Sequence, residues 1–220
     1  MSIRKIAFVP DEFYHIYNRG NSRQAIYLTL DDHARFMALL YLANGTKSID
    51  FREIDQKVLF NFDRGEQLVA IGAYCLMPNH FHILVTPLVE DGMVAFMRKL
   101  ATGYSMYFNK KHHRTGSLFE GKFKSEHVDN DQYLKYLFAF IHLNPAKLKQ
   151  SDWQQVGITD VGGMMNYLNN YPYSSYIDNA VTRPEFNILD RSRFPQYFKD
   201  KTSYDTEMQE WLSYNQDKEI

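Results

Sequence analysis

The spacing of apolar residues along this chain changes period several times, and each change marks a predicted element. Phe13-Tyr14-His15-Ile16-Tyr17-Asn18 reads as a first strand, closed by the turn-prone and basic Asn18-Arg19-Gly20-Asn21-Ser22-Arg23. Ala34, Phe36, Met37, Leu40 and Tyr41 predict a helix capped by Asp31-Asp32 and stopped near Asn44-Gly45. Leu68-Val69-Ala70-Ile71 and Ile83-Leu84-Val85-Thr86 are two apolar strand segments that pair across the Met77-Pro78-Asn79 break. Val94, Phe96, Met97, Leu100, Tyr104, Tyr107 and Phe108 recur at helical spacing and predict a long amphipathic helix ending near Lys110-Lys111-His112-His113. A further strand is expected over Ser117–Ser125. Asp129 or Asn130 then caps a helix through Tyr133, Leu134, Tyr136, Leu137, Phe138, Phe140, Ile141 and Leu143, before Asn144-Pro145.

The order β-α-β-β-α-β plus a following helix predicts an α+β protein with a ferredoxin-like antiparallel sheet, its helices on one face and the other face open for a ligand. Residues 1–150 are expected to form this domain. Residues 151–220, helical and irregular by turns, are expected to be a mostly helical extension packed on it.

A chain of 220 residues can bury such a core without disulfides. Cys75, the lone cysteine, lies in an apolar strand and reads as a small buried hydrophobe in a reducing compartment. No apolar run approaches the roughly 20 residues of a membrane span, and Met1–Ile6 lacks a signal-peptide apolar region, so a cytoplasmic protein is expected. The net charge of −1 argues against a uniformly basic surface. Arg98–Lys124, however, holds seven basic residues against Glu120 alone, while Asp205, Glu207, Glu210, Asp217 and Glu219 collect in the tail. Such segregation fits a polyanion-binding face on an otherwise neutral body, or a solvated helix surface. Of the 16 Tyr and 16 Phe, most will pack, and some can stack on unpaired bases.

Candidate chemistry concentrates at His80-Phe81-His82. Side chains two apart on a strand project side by side, a metal-ligand arrangement that needs a third donor; without one, the pair reads as ordinary hydrogen-bonded histidines. Asn144, at the end of Ile141-His142-Leu143-Asn144-Pro145, is the candidate third donor, or simply a helix terminus before proline. Two imidazoles and a carboxamide oxygen suit Mg²⁺ or Mn²⁺ acting on a phosphate, and the imidazoles also suit Zn²⁺ or Ni²⁺.

Met77–Leu84 and Ile141–Pro145 resemble segments of REP-associated tyrosine transposases, which belong to the single-tyrosine HUH transposases of bacterial insertion sequences. Tyr14–Asn21, Gly116–Lys124 and Tyr171–Tyr176 also resemble family segments, in the family's order, over roughly residues 10–178. The resemblance implies a nuclease domain that recognises imperfect DNA hairpins and cuts an adjoining single strand through a tyrosine nucleophile, leaving a 5′-phosphotyrosine and a free 3′-hydroxyl. It further implies a divalent metal, Mg²⁺ or Mn²⁺, on His80, His82 and Asn144. The family's nucleophile lies five residues before the proline, where this chain has Phe140. Phenylalanine has no hydroxyl, so metal and DNA binding are expected without covalent cleavage. Tyr136 and Tyr133 share the face of Phe140, about 40° and 20° away around the helix, but are displaced along it by about 6 and 10 Å. Tyr136 is the less favoured substitute.

Asn18, Arg19, Arg23, Arg114, Lys122 and Lys124 are candidate phosphate contacts beside the site. The expected partner is hairpin DNA with a single-stranded flank, bound by a monomer or a homodimer. A noncatalytic hairpin-binding protein derived from the family is the alternative, and a hydrolase using water is a third reading for which no general base stands out.

Overall fold

The computed structural model describes residues 7–213; the opening Met1–Ile6 and the tail carboxylates Asp217 and Glu219 lie outside the described residues. Four strands, β1 (Phe13–Arg19), β2 (Val69–Met77), β3 (His80–Pro87) and β4 (Lys124–Val128), form one sheet in the order β2-β3-β1-β4. Every pairing is antiparallel. Helix α1 (Leu30–Leu42) links β1 to β2, and α2 (Gly92–Lys111) links β3 to β4. This is the ferredoxin-like split β-α-β topology expected from the order of elements.

Strand alternation divides the sheet into two faces. Tyr14, Ile16, Tyr74, Leu76, Phe81, Ile83 and Val85 join Phe36, Leu40, Phe96, Leu100 and Tyr104 of α1 and α2 in the larger core. Ala73, Cys75, Met77 and Leu84 face the opposite way, toward Leu134, Leu137, Phe138 and Ile141 of α3 (Asp131–Leu143). The second face is therefore not open along its whole length. Helix α3 covers most of it and leaves a cleft at the end where β3 begins. Asn130 starts α3 by accepting the Tyr133 backbone N–H at 2.7 Å.

Two expected boundaries move. The first helix begins earlier than expected, with Thr29 rather than Asp31 or Asp32 as its extended cap and Asp32 inside its first turn. The Asp32 carboxylate accepts from the backbone N–H groups of Leu28 at 2.8 Å and Thr29 at 2.9 Å. The last strand starts at Lys124, not Ser117, and runs on to Val128. Gly116, at φ +82°, turns the chain, and the adjacent Leu118 and Phe119 both enter the core where a strand would send them to opposite faces. Phe119 retains only an isolated bridge to Gly20.

Beyond α3 come α4 (Trp153–Val156), α5 (Val161–Asn169) and α6 (Lys201–Ser213), joined by short 3₁₀ turns. Tyr173–Ser175 pairs with the outer edge of β2 through Leu76 N–H to Tyr173 O and Ser175 N–H to Tyr74 O, both 2.9 Å, which closes that edge. A Cβ at Gly72, where β2 bulges, would lie 2.8 Å from the Phe194 ring, so the bare backbone lets this later segment seat on the sheet. No helix among the described residues is long and apolar enough to cross a membrane.

His142 of α3 ties these parts together. Its Nδ1 meets the Tyr204 hydroxyl of α6, and its Nε2 the Ser175 hydroxyl at 2.7 Å. Burial, reinforced by the nearby Arg191 guanidinium, lowers its pKa well below the ordinary histidine value. A histidine kept neutral in the fold but free to protonate when unfolded contributes stability that is complete above its unfolded pKa of about 6.5 and drains away as pH falls below it. Thermal unfolding should accordingly occur at lower temperature at pH 5 than at pH 7.5, and His142→Gln should shrink that difference in a calorimetric comparison.

Candidate active site

The tight Pro78-Asn79 turn launches β3 so that His80 and His82 both project on the α3 side. Their ring centroids lie 5.0 Å apart with planes at 89°. Cross-strand pairing sets Tyr17 opposite His82 and Arg19 opposite His80. His15 stacks on His82 with centroids 5.0 Å apart, its Nε2 2.8 Å from Nδ1 of His82. Phe140 closes the site from α3, edge-on to His82 at 5.4 Å and to His15 at 5.8 Å. One turn further along, buried Asn144 lines the same cleft as His80, and its nitrogen donates to the Phe140 carbonyl at 3.3 Å.

These groups form one wall of a cleft of about 430 Å³. Its cationic rim consists of Arg19, Arg23, Lys124 and Lys147, and no carboxylate is among the lining residues. The Lys147 ammonium sits 5.8 Å above the Phe140 ring. Arg19 is balanced by a bidentate pair with Glu120 just outside. Asn18 lines the cleft but also holds it together, donating to the Gly121 carbonyl at 3.1 Å and accepting from the Arg19 N–H at 2.9 Å.

All three imidazoles are held toward the neutral form that ligates metals. Burial lowers His80, aided by Lys147 and opposed by Asn144. It places His82 well below the ordinary value, with His15, His80 and Lys147 adding repulsion. Burial likewise lowers His15 to about 4 against the pull of Glu126. His80 Nδ1 lies 2.7 Å from the Asn79 carboxamide oxygen, an acceptor only, so Nδ1 carries the proton and Nε2 the lone pair. Asn79 is itself fixed by donating to the Arg23 carbonyl at 3.1 Å. Among the described residues no group of three or more His, Cys, Asp and Glu could hold an ion. Any metal here needs Asn144, and two imidazoles with a neutral carboxamide are a set that a hard divalent ion can use beside a phosphate.

Of the sequence candidates, the structure gathers Asn18, Arg19, Arg23, Lys124, His80, His82, Phe140 and Asn144 in this cleft. Arg114 lies elsewhere, bonded to Gln24 at 2.8 Å, and Lys122 is exposed outside the lining. Tyr136 lines a separate cavity of about 40 Å³ behind Phe140, with its ring 5.1 Å from Trp211. Tyr17, Asn79 and Lys147 line the cleft without having been anticipated, as does His15 behind it. The i, i+2 spacing of His15 and Tyr17 repeats that of His80 and His82, and was the available signal.

Residues 50–144 match the family model for IS200-like transposases. That stretch is similar to the IS200-like transposase family. The match takes in both histidines, Phe140 and Asn144 of the cleft. A solved structure of a REP-associated tyrosine transposase bound to a REP hairpin is similar, with TM-score 0.51 and 13% identity over 90% of this chain and all of that one. At that identity the likeness speaks for the fold alone. No curated protein matches the chain.

Proposed function

We propose that this transposase domain binds hairpin-forming DNA and seats an adjoining single strand in the cleft, at a divalent metal held by His80, His82 and Asn144. Phe140 then occupies the place from which a tyrosine hydroxyl would attack, so the chain holds its strand without joining it covalently. The observation that carries the proposal is the placement of Phe140 against His82, one helical turn from Asn144, in a cationic cleft. When bound, Mg²⁺ or Mn²⁺ would supply Lewis-acid polarisation of the scissile phosphate. Lys124 and Lys147 attract and orient the backbone, and the exposed Arg23 guanidinium extends that path toward the hairpin. Asn79 keeps the His80 proton on Nδ1. With a tyrosine at position 140, its oxygen would bond to phosphorus as the bond to the 3′-oxygen breaks, leaving a 5′-phosphotyrosine and a 3′-hydroxyl.

Every cleft residue comes from β1, β3, β4, α3 and the turns beside them in one chain. A monomer therefore suffices for the site, and residues 151–220 serve as an extension of the unit formed by 1–150. A DNA substrate also places the protein in the cytoplasm. A noncatalytic hairpin-binding role is the second reading, favoured by the absence of a hydroxyl on Phe140.

Fluorescence anisotropy on the chain as it stands tests the binding step. A labelled imperfect hairpin with a single-stranded flank is expected to bind more tightly than the same hairpin without the flank or a blunt duplex. Affinity should fall linearly in log–log salt, and Lys124→Ala with Lys147→Ala should lower that slope by roughly 1 to 2. Equal binding to all three DNAs would sink the proposal.

A further inference from the structure

His15 has no place in the ligand set, yet it is buried, at 4% exposure, directly behind His82. Of the two ring nitrogens in contact, one must donate and the other accept. The other side of His15 decides which. Its Nδ1 is buried without a hydrogen-bond partner among the described residues and faces the Glu126 carboxylate at 3.8 Å. Glu126 is itself held in place by the Tyr17 hydroxyl at 2.8 Å and the Tyr133 hydroxyl at 3.4 Å. A carboxylate attracts an N–H and repels a lone pair, so the His15 proton belongs on Nδ1. His15 Nε2 is then an acceptor, and His82 must donate from its own Nδ1.

We infer that His15, oriented by Glu126, is a positioning residue that fixes the tautomer and ring orientation of His82 so that its Nε2 lone pair faces the cleft. Carboxylate, imidazole and ligating imidazole form a line from the exposed edge strand β4 through β1 to β3. The same task is performed for His80 by Asn79, so both histidines present the same nitrogen. Partners behind a ligating histidine typically govern metal affinity by about 10–100-fold. This inference rests on the reading of His82 as a metal ligand.

The test combines Mn²⁺ titration, read by calorimetry and by electron paramagnetic resonance of free Mn²⁺, with ¹⁵N NMR of the histidine rings at neutral pH. In the unmodified chain His82 should show its proton on Nδ1. His15→Leu should shift His82 toward the tautomer protonated on Nε2, the form that predominates in free histidine, and weaken Mn²⁺ binding by about 10–100-fold. His15→Gln, whose amide oxygen can accept from the same N–H, should restore most of the affinity. A purely space-filling role for His15 would make the two variants alike and leave the tautomer unchanged. Should the buried His15→Leu change unfold the protein, Glu126→Ala on the half-exposed edge strand gives the same readout, with the His82 proton no longer confined to Nδ1. His82→Ala separates the two levels of the proposal. If His82→Ala abolishes Mn²⁺ binding while His15→Leu and Glu126→Ala leave affinity and tautomer untouched, the positioning role is wrong and the metal site stands. If His82→Ala has no effect either, the metal assignment itself falls.

Discussion

Phe140→Tyr is expected to raise strand cleavage by on the order of 10³-fold or more over the chain as it stands. Removal of an enzyme nucleophile costs up to about 10⁶ in rate, because the remaining groups can bind and polarise but nothing attacks. The gain from restoring one is bounded below that by the fit of the new hydroxyl. The change adds a single oxygen to a ring that is half-buried and lines the cleft, so it requires no repacking of the core. Hairpin affinity should therefore change by less than about threefold, since the cationic rim that grips phosphates is untouched. The check is end-labelled hairpin DNA with Mn²⁺, resolved on a denaturing gel, with both proteins at saturating concentration. Equal and low cleavage by both would mean that position 140 is not where attack begins.

Asp32→Ala should lower stability by about 3–5 kcal/mol, the cost of leaving a buried polar and ionic cluster without its centre. With a chain of this size that corresponds to a melting temperature lower by roughly 6–20 °C. The Asp32 side chain is fully buried and gathers the Leu28 and Thr29 N–H groups, the His112 ring at 3.0 Å, the Tyr107 hydroxyl at 3.2 Å and the Lys111 ammonium at 3.2 Å. Burial alone would raise its pKa, but these hydrogen bonds outweigh it and hold the carboxyl well below the usual range. A depressed carboxylate contributes stability above its unfolded pKa of about 3.9, and that contribution drains away as pH falls below it. Differential scanning calorimetry at pH 7 measures the loss. The cluster lies between α1 and α2, across the sheet from the cleft, so hairpin binding at low temperature should persist in the folded variant.

The contrast between these two residues shows what the sequence makes legible. The β-α-β-β-α-β order can be read because each element carries a clean period and the turns at Gly20, Asn44-Gly45 and Pro78-Asn79 punctuate it. Asp32 is visible as a helix-start residue, but its three distant partners are not, because Tyr107, Lys111 and His112 arrive from the far end of α2. The strand before α3 is misplaced by seven residues because Leu118-Phe119 and Phe123 look like a strand run, while Gly116 and Gly121 bend it and core packing takes the first two. Within the cleft, a spacing of two flags His80 and His82 locally. His15, Tyr17 and Lys147 join them only through strand register and the turn after α3, neither of which a single sequence reveals. Arg114 and Lys122 belong to the basic run by composition, yet they fall outside the cleft for the same reason.

The most direct test of Phe140 as the silenced attack position is to find where DNA becomes attached. A suicide hairpin substrate with a single-stranded flank would be incubated with Mn²⁺ and each protein, the chain as it stands and Phe140→Tyr, then digested and mapped by peptide mass spectrometry. The expected result is a nucleotide adduct on residue 140 of Phe140→Tyr and none on the unmodified chain. An adduct on Tyr17 or Tyr136 of the unmodified chain, or none on either protein despite tight hairpin binding, would contradict it.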